Sequence, residues 1–219
     1  INVILDAFPW IFLLYMPFKD RLRFSRITTV LANFVVLTLY YISFKRIIGE
    51  DFYNLDIMLA YRMVQIFVVL ILCIFFINDF IQKVLFVFGQ LLPISVFVLV
   101  WARHTNNYIT IKQSATYLDT AVLRIIISCV CFPFMYILWK KYIVPVVKTD
   151  NKRQWKYGWI IPMIFSIVSL SYCENDFEIT YVHFHQVLAR LTLSIGVVIV
   201  SVMQFRAVRT EESFVRAEE

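Results

Sequence analysis

Glycine is scarce in this chain, with four in 219 residues. No Gly-rich loop exists that could cradle a phosphate, which excludes nucleotide sites of the P-loop and dinucleotide-binding kinds. The four cysteines show neither a CxxC pair nor Cys/His metal spacing, so a disulfide framework and a zinc site are excluded as well. Cys73, Cys129 and Cys131 fall inside apolar runs and Cys173 near the end of one, where free thiols act as small hydrophobes. Neither GxSxG nor HExxH occurs, and no nucleophile, metal or acid–base cluster replaces them. No catalytic residue, cofactor or metal is therefore assigned. Charge is sparse, at 16% of residues. The net charge of +6 comes from short basic clusters between apolar runs, a pattern that does not make a nucleic-acid-binding face.

The chain is 61% hydrophobic and 17% aromatic, more apolar surface than a soluble domain can cover, so lipid is expected to be the solvent for much of it. A spanning helix needs about 20 mostly apolar residues. The expected spans are roughly 1–17, 27–47, 57–77, 81–101, 117–139, 157–173 and 181–204. The fold class is thus an all-α polytopic bundle of seven transmembrane helices. Residues 1–17 lack the basic start of a signal peptide and contain Asp6 and two prolines. Pro9, Pro93, Pro133 and Pro162 lie inside spans, where neighbouring helices can re-satisfy freed backbone groups. No internal repeat is visible, which weighs against an inverted-repeat transporter. The last span has no lysine, which excludes a retinal Schiff base there.

Lysine and arginine in short loops set the orientation. Junctions 18–26, 78–83 and 140–156 and the tail together carry fourteen, and the alternate junctions carry four: Lys45, Arg46, Arg103 and Lys112. This places the N-terminus outside and the C-terminus in the cytoplasm. Tyr40, Tyr41, Trp101, Tyr172 and Tyr181 are expected as an outer aromatic belt, and Trp139, Tyr142, Trp155, Tyr157 and Trp159 as an inner one. The longest outer connection is about 103–116, so any external ligand must be small.

Three cations remain, Arg62, Arg124 and Arg190, in the third, fifth and seventh spans. All three spans enter from the outer side. An arginine at such depth usually faces a partner, the bundle interior or a water-filled cavity. On span seven, His183, Gln186, Arg190, Ser194, Ser201 and Gln204 recur at helical spacing as one polar stripe. Thr120, Arg124 and Ser128 do the same on span five, and Arg62 pairs with Gln65 on span three. Such stripes are expected to face one another or a dimer partner. Two readings stay open. In one, the arginines are structural, snorkelling outward or pairing with Asp6, Asp56, Asp119 or Glu174. In the other, Arg62, Gln65, Arg124, His183, Gln186 and Arg190 line an outward-opening pocket for an anionic group such as a peptide carboxylate. His183 and His185 have no third ligand nearby and read as interfacial.

The last span runs directly into a charged tail, 205–219, free of Gly and Pro. Phe205, Val208, Glu212 and Val215 follow 3-4-3 spacing, a coiled-coil-like seam able to relay a signal from span seven. The chain begins without Met inside an apolar run, and it is expected to be the membrane part of a longer protein. Residues 1–204 then form the membrane-embedded domain, and 205–219 the start of a cytoplasmic linker helix; the resemblance below implies a sensor domain and a dimerisation helix for the two.

The loop-poor module, its basic first inner junction PFKDRLRFSR (17–26) and its exit MQFRAVRTEE (203–212) resemble the membrane sensor of the peptide-pheromone (quorum-sensing) histidine kinases with a GHKL-type ATPase domain. The resemblance covers the whole chain through pattern and not through invariant residues. It implies a multi-pass protein of a bacterial-type plasma membrane that detects a small extracellular ligand such as a peptide, acts as a homodimer, and controls a response regulator through a kinase domain beyond residue 219. The chain departs from the family pattern by ending before any phospho-accepting His, since His104, His183 and His185 lie on the outer side. The alternative reading is a small-solute transporter or channel component; a membrane-embedded enzyme finds no support in the residues.

Overall fold

The computed structural model describes residues 2–48, 55–110, 117–149, 152–171 and 184–218. Among them the elements are helices joined by short connections: α1 Asn2–Tyr15, α2 Arg26–Ile48, α3 Leu55–Phe76, α4 Ile81–Thr110, α5 Tyr117–Leu138, α6 Val144–Lys148, α7 Lys152–Gly158, α8 Ile160–Ser171 and α9 Phe184–Glu218. A 3₁₀ turn, Met16–Phe18, closes α1, and a π-helical turn, Trp139–Ile143, joins α5 to α6.

Helices wrapped in lipid should turn apolar side chains outward, and these do. Ile27, Leu31, Val35, Leu39 and Ile42 form an exposed ridge along α2, as do Val122, Ile126, Val130, Phe134 and Ile137 along α5. Phe184, Leu188, Leu191, Ile195, Ile199 and Met203 repeat the pattern on α9. Hydrocarbon tolerates such ridges and water does not. Among the described residues, four helical stretches are long and apolar enough to cross a membrane: Arg26–Ile47, Ile81–Ala102, Ile125–Lys148 and Phe184–Val208. The other three expected spans correspond to shorter apolar helices, Pro9–Phe18, Met63–Phe76 and Trp155–Leu170.

The centre of the bundle is α4, with 67% of its apolar window buried against 17% for α2. α8 and α9 pack on α4 and on each other, α1 and α5 do likewise, and the α2–α3 pair leans on α1 and α4. Apolar burial drives helices together only weakly in lipid, so close backbone approach and directed bonds must do more. A Cβ on Gly89 of α4 would lie 2.9 Å from the Pro162 carbonyl carbon of α8. One on Gly196 of α9 would lie 2.7 Å from the Phe165 ring. Glycine at these two positions sets how near α8 comes to its neighbours.

One end of the bundle is tied by charge. The 19–25 connection forms an antiparallel bridge, Leu22 to Ile77, with Arg23 N–H on the Phe76 carbonyl (2.9 Å) and Asn78 N–H on the Arg21 carbonyl (2.8 Å). Arg21 pairs with Asp79 at 2.7 Å. Lys83 is wholly buried, 3.4 Å from the same carboxylate and 5.5 Å from the centres of the Phe80 and Trp155 rings. Nearby, Asn33 joins α2 to α1, its amide donating to Tyr15 Oη (3.0 Å) and to the Thr29 carbonyl (2.8 Å).

Several expectations shift. α4 continues to Thr110, past the expected end at 101, because the Trp101–Thr110 segment contains no helix breaker. The sixth span is broken at Trp159, between Gly158 and the proline at 162. Span five does not stop at 139. Pro145 has no N–H for the Lys141 carbonyl, its ring would collide with that carbonyl, and the chain widens into a π turn in which Val144 N–H reaches Trp139 O. Of the expected inner belt, Trp139 and Trp155 are core residues, 2% and 3% exposed, and only Tyr157 of that group is largely exposed.

Candidate functional site

The polar stripe of α9 faces α4 and α8, and its groups meet particular backbone defects there. The Ser169 carbonyl lies in the last turn described for α8, Ile160–Ser171. Arg190, 2% exposed, donates from Nη1 to that carbonyl and lies 3.5 Å from Ser169 Oγ. One turn further, Ser194 Oγ lies 2.9 Å from the Arg190 carbonyl and 3.3 Å from the Pro93 carbonyl of α4.

Two proline defects are met in the same way. Pro93 cannot donate to the Gly89 carbonyl, and the Ser166 hydroxyl of α8 does so instead at 2.8 Å. Pro162 leaves the Gly158 carbonyl without its helical donor, and Gln204 Nε2 of α9 supplies one at 2.8 Å. Both freed carbonyls belong to glycine, where no Cβ blocks the approach of a side chain from another helix. Sequence reasoning alone misses Gly89, Ser166 and Gly158, yet the signal is visible: Gly-x-x-x-Pro occurs at 89–93 and again at 158–162.

Between these points, Ser201 Oγ sits 2.6 Å from Gln90 Oε1 and 2.9 Å from the Val197 carbonyl, with one proton for either. Gln90, which no sequence pattern singles out, is 1% exposed. It lines a cavity of about 10 Å³ together with Trp139, Tyr142 and Ser201. Below it, Phe205 meets Tyr142 edge-on at 5.4 Å between ring centres, and Val208 is buried. The upper half of the expected relay seam is therefore packed within this chain. Glu212 and Val215 lie on the continuing helix, their side chains outside the described residues.

Of the six residues expected around an anion, Gln65, Gln186 and Arg190 have described side chains. Gln186, half-buried, stands one turn before Arg190 on α9. Gln65, half-buried, lies on α3, which packs on α2 and α4. Arg62 and Arg124 occupy α3 and α5 with side chains outside the described residues, and His183 lies outside them altogether. α5 meets α4 through Ile127 on Val98 and Ala102, whereas α9 meets it through Val187 on Val96 and Val100. Positions two apart on a helix point about 200° apart, so these are opposite faces of α4. At this level α4 stands between α5 and α9.

No protein-family model, curated protein or solved structure matches this chain.

Proposed function

We propose that the chain is the membrane-embedded sensing and relay part of a sensor histidine kinase of the peptide-pheromone type, with α9 as the element that carries the signal. The observation that supports this reading best is the continuity of α9, one helix from Phe184 to Glu218 that joins the Arg190 contact to the charged segment beyond the apolar stretch. Arg190 and Thr210 are twenty residues apart, about 30 Å along the helix.

On this reading the chain spans the membrane seven times, with its N-terminus outside and α9 ending in the cytoplasm of a bacterial-type cell. The signal is a small extracellular anion such as a peptide carboxylate. It is bound with the help of His183 and Gln186 and competes with the Ser169 carbonyl of α8 for the Arg190 guanidinium. A carboxylate can take that guanidinium bidentately, a stronger pairing than a carbonyl offers. Arg62, Gln65 and Arg124 act from neighbouring helices on the rest of the ligand. Release of Arg190 from Ser169 biases a two-state equilibrium in the position of α9. Phe205, Val208, Glu212 and Val215 pass the change to a homodimeric kinase domain and, through it, to a response regulator. For the transporter alternative, α9 polar groups should line an aqueous path; Arg190, Ser194, Ser201 and Gln204 are instead engaged with backbone and side-chain groups of α4, α8 and α7.

The test is the product of the whole gene in inverted membrane vesicles with labelled ATP. Phosphorylation of a histidine beyond residue 219, altered in an Arg190→Glu variant that inserts normally, is expected. A reading frame that stops after Glu219, or a product that takes no phosphate, refutes the proposal.

A further inference from the structure

The cavity between α4, the π turn and α9 holds two buried donors that no protein group meets among the described residues. Gln90 Nε2 and Trp139 Nε1 have no hydrogen-bond partner, and their residues are 1% and 2% exposed. Both residues line the same cavity, as does Ser201. An indole N–H can only donate. The Gln90 amide already uses its oxygen toward Ser201. What fits between them is therefore an acceptor with two lone pairs, able to donate in return to the Ser201 oxygen. The volume, about 10 Å³, allows a single small molecule, and internal waters typically make about three such bonds.

We propose that this cavity is a binding site for one water molecule, which accepts hydrogen bonds from Gln90 Nε2 and Trp139 Nε1 and donates one to Ser201 Oγ. The site takes one side chain from each of three elements. α4 supplies Gln90, the first residue of the π turn supplies Trp139, and α9 supplies Ser201. The water thus pins α9 to both neighbours just above the Phe205–Tyr142 contact. The inference does not depend on the sensor reading. A transporter subunit or a purely structural bundle with this packing would hold the same water.

Water-edited solid-state NMR on protein carrying ¹⁵N-indole tryptophan, reconstituted in bilayers, tests it directly. Five tryptophans give five indole signals, and Trp139→Phe identifies the relevant one by its loss. The Trp139 indole proton is expected at a hydrogen-bonded shift and to receive magnetisation from water. Gln90→Leu removes a donor and fills the space, and Val198→Leu fills it while leaving every polar group in place; each should abolish the transfer. Should Gln90→Leu not fold, Val198→Leu carries the comparison alone. An indole signal without transfer from water in the unmodified protein overturns the proposal, whether the proton is free or bonded directly to Gln90. Transfer that persists undiminished in Val198→Leu overturns it equally, because the water then lies elsewhere.

Discussion

Removing the Ser166 hydroxyl should destabilise the bundle by an amount that depends on whether residue 93 is proline. In the native chain the Gly89 carbonyl lacks a helical donor because of Pro93, and Ser166, 1% exposed, supplies one at 2.8 Å. Ser166→Ala leaves that carbonyl buried and unmet. A stranded buried acceptor costs about 1–3 kcal/mol in water-soluble proteins. Double-mutant cycles for hydrogen bonds in membranes give about 0.6 kcal/mol on average and about 1.7 at most. The seam is tightly closed at this point, so about 1.5 kcal/mol is expected, near the upper membrane value. Pro93→Ala restores an N–H four residues beyond Gly89. In that background Ser166→Ala should cost no more than about 0.5 kcal/mol, the ordinary scatter of additivity. The coupling between the two positions is then about 1 kcal/mol. Equilibrium unfolding of the four proteins in mixed micelles of mild detergent and SDS, followed by tryptophan fluorescence, gives all the terms. Equal costs of Ser166→Ala in the native and Pro93→Ala backgrounds would refute the account of this seam.

Other substitutions probe the remaining contacts. Gly89→Ala forces α4 and α8 apart, since its Cβ would lie 2.9 Å from backbone, and should cost about 1–3 kcal/mol in the same unfolding assay. Gly158→Ala meets only Gln204 Nε2 at 3.6 Å and should leave the unfolding midpoint unchanged or slightly raised; a loss as large as that of Gly89→Ala contradicts the geometry. Arg190→Glu sets a carboxylate against the Ser169 carbonyl and should destabilise by about 3–5 kcal/mol, whereas Arg190→Lys, which keeps the charge, should lose much less. Equal midpoints for the two Arg190 variants would refute this role of the Arg190 charge. The lysine and arginine distribution predicts that a membrane-impermeant thiol reagent labels Asn106→Cys in intact cells and Ser213→Cys only after permeabilisation, in a background with the native cysteines replaced. The reverse pattern would invert the orientation.

Most helix positions are legible in the sequence because each apolar run is long and bounded by charge. α2 and α3 begin and end within about two residues of expectation, the usual uncertainty of helix boundaries. Breaks inside the runs are harder to see, since apolar length alone does not say where a proline will be accommodated. Pro145 reads as part of a polar junction, yet it imposes the π turn on Trp139–Ile143. Trp139 and Trp155 read as interfacial because tryptophan at the end of an apolar run commonly is. The charged clamp of Arg21, Asp79 and Lys83 draws Trp155 inward instead, and Lys83 lies against its ring. Such a clamp joins residues 58 positions apart, so no local pattern announces it.

The stripe on α9 is legible as a face, and what it faces is not. Helical spacing says that Arg190, Ser194, Ser201 and Gln204 share one side; only the packing shows that this side meets the Ser169 carbonyl of α8, a proline carbonyl, a glutamine and the Gly158 carbonyl. The distinction matters for how α9 can move. Apolar ridges in lipid have little preference among neighbouring positions, because tails replace side-chain contacts at small cost. The four polar contacts are fixed in both height and angle. A shift of α9 by one residue changes its height by about 1.5 Å and its facing by about 100°, and moves all four off their partners together. Intermediate positions would strand several buried groups at once, so α9 is held to discrete registers and does not slide continuously. A helix with that property can act as a switch, whichever stimulus acts on Arg190.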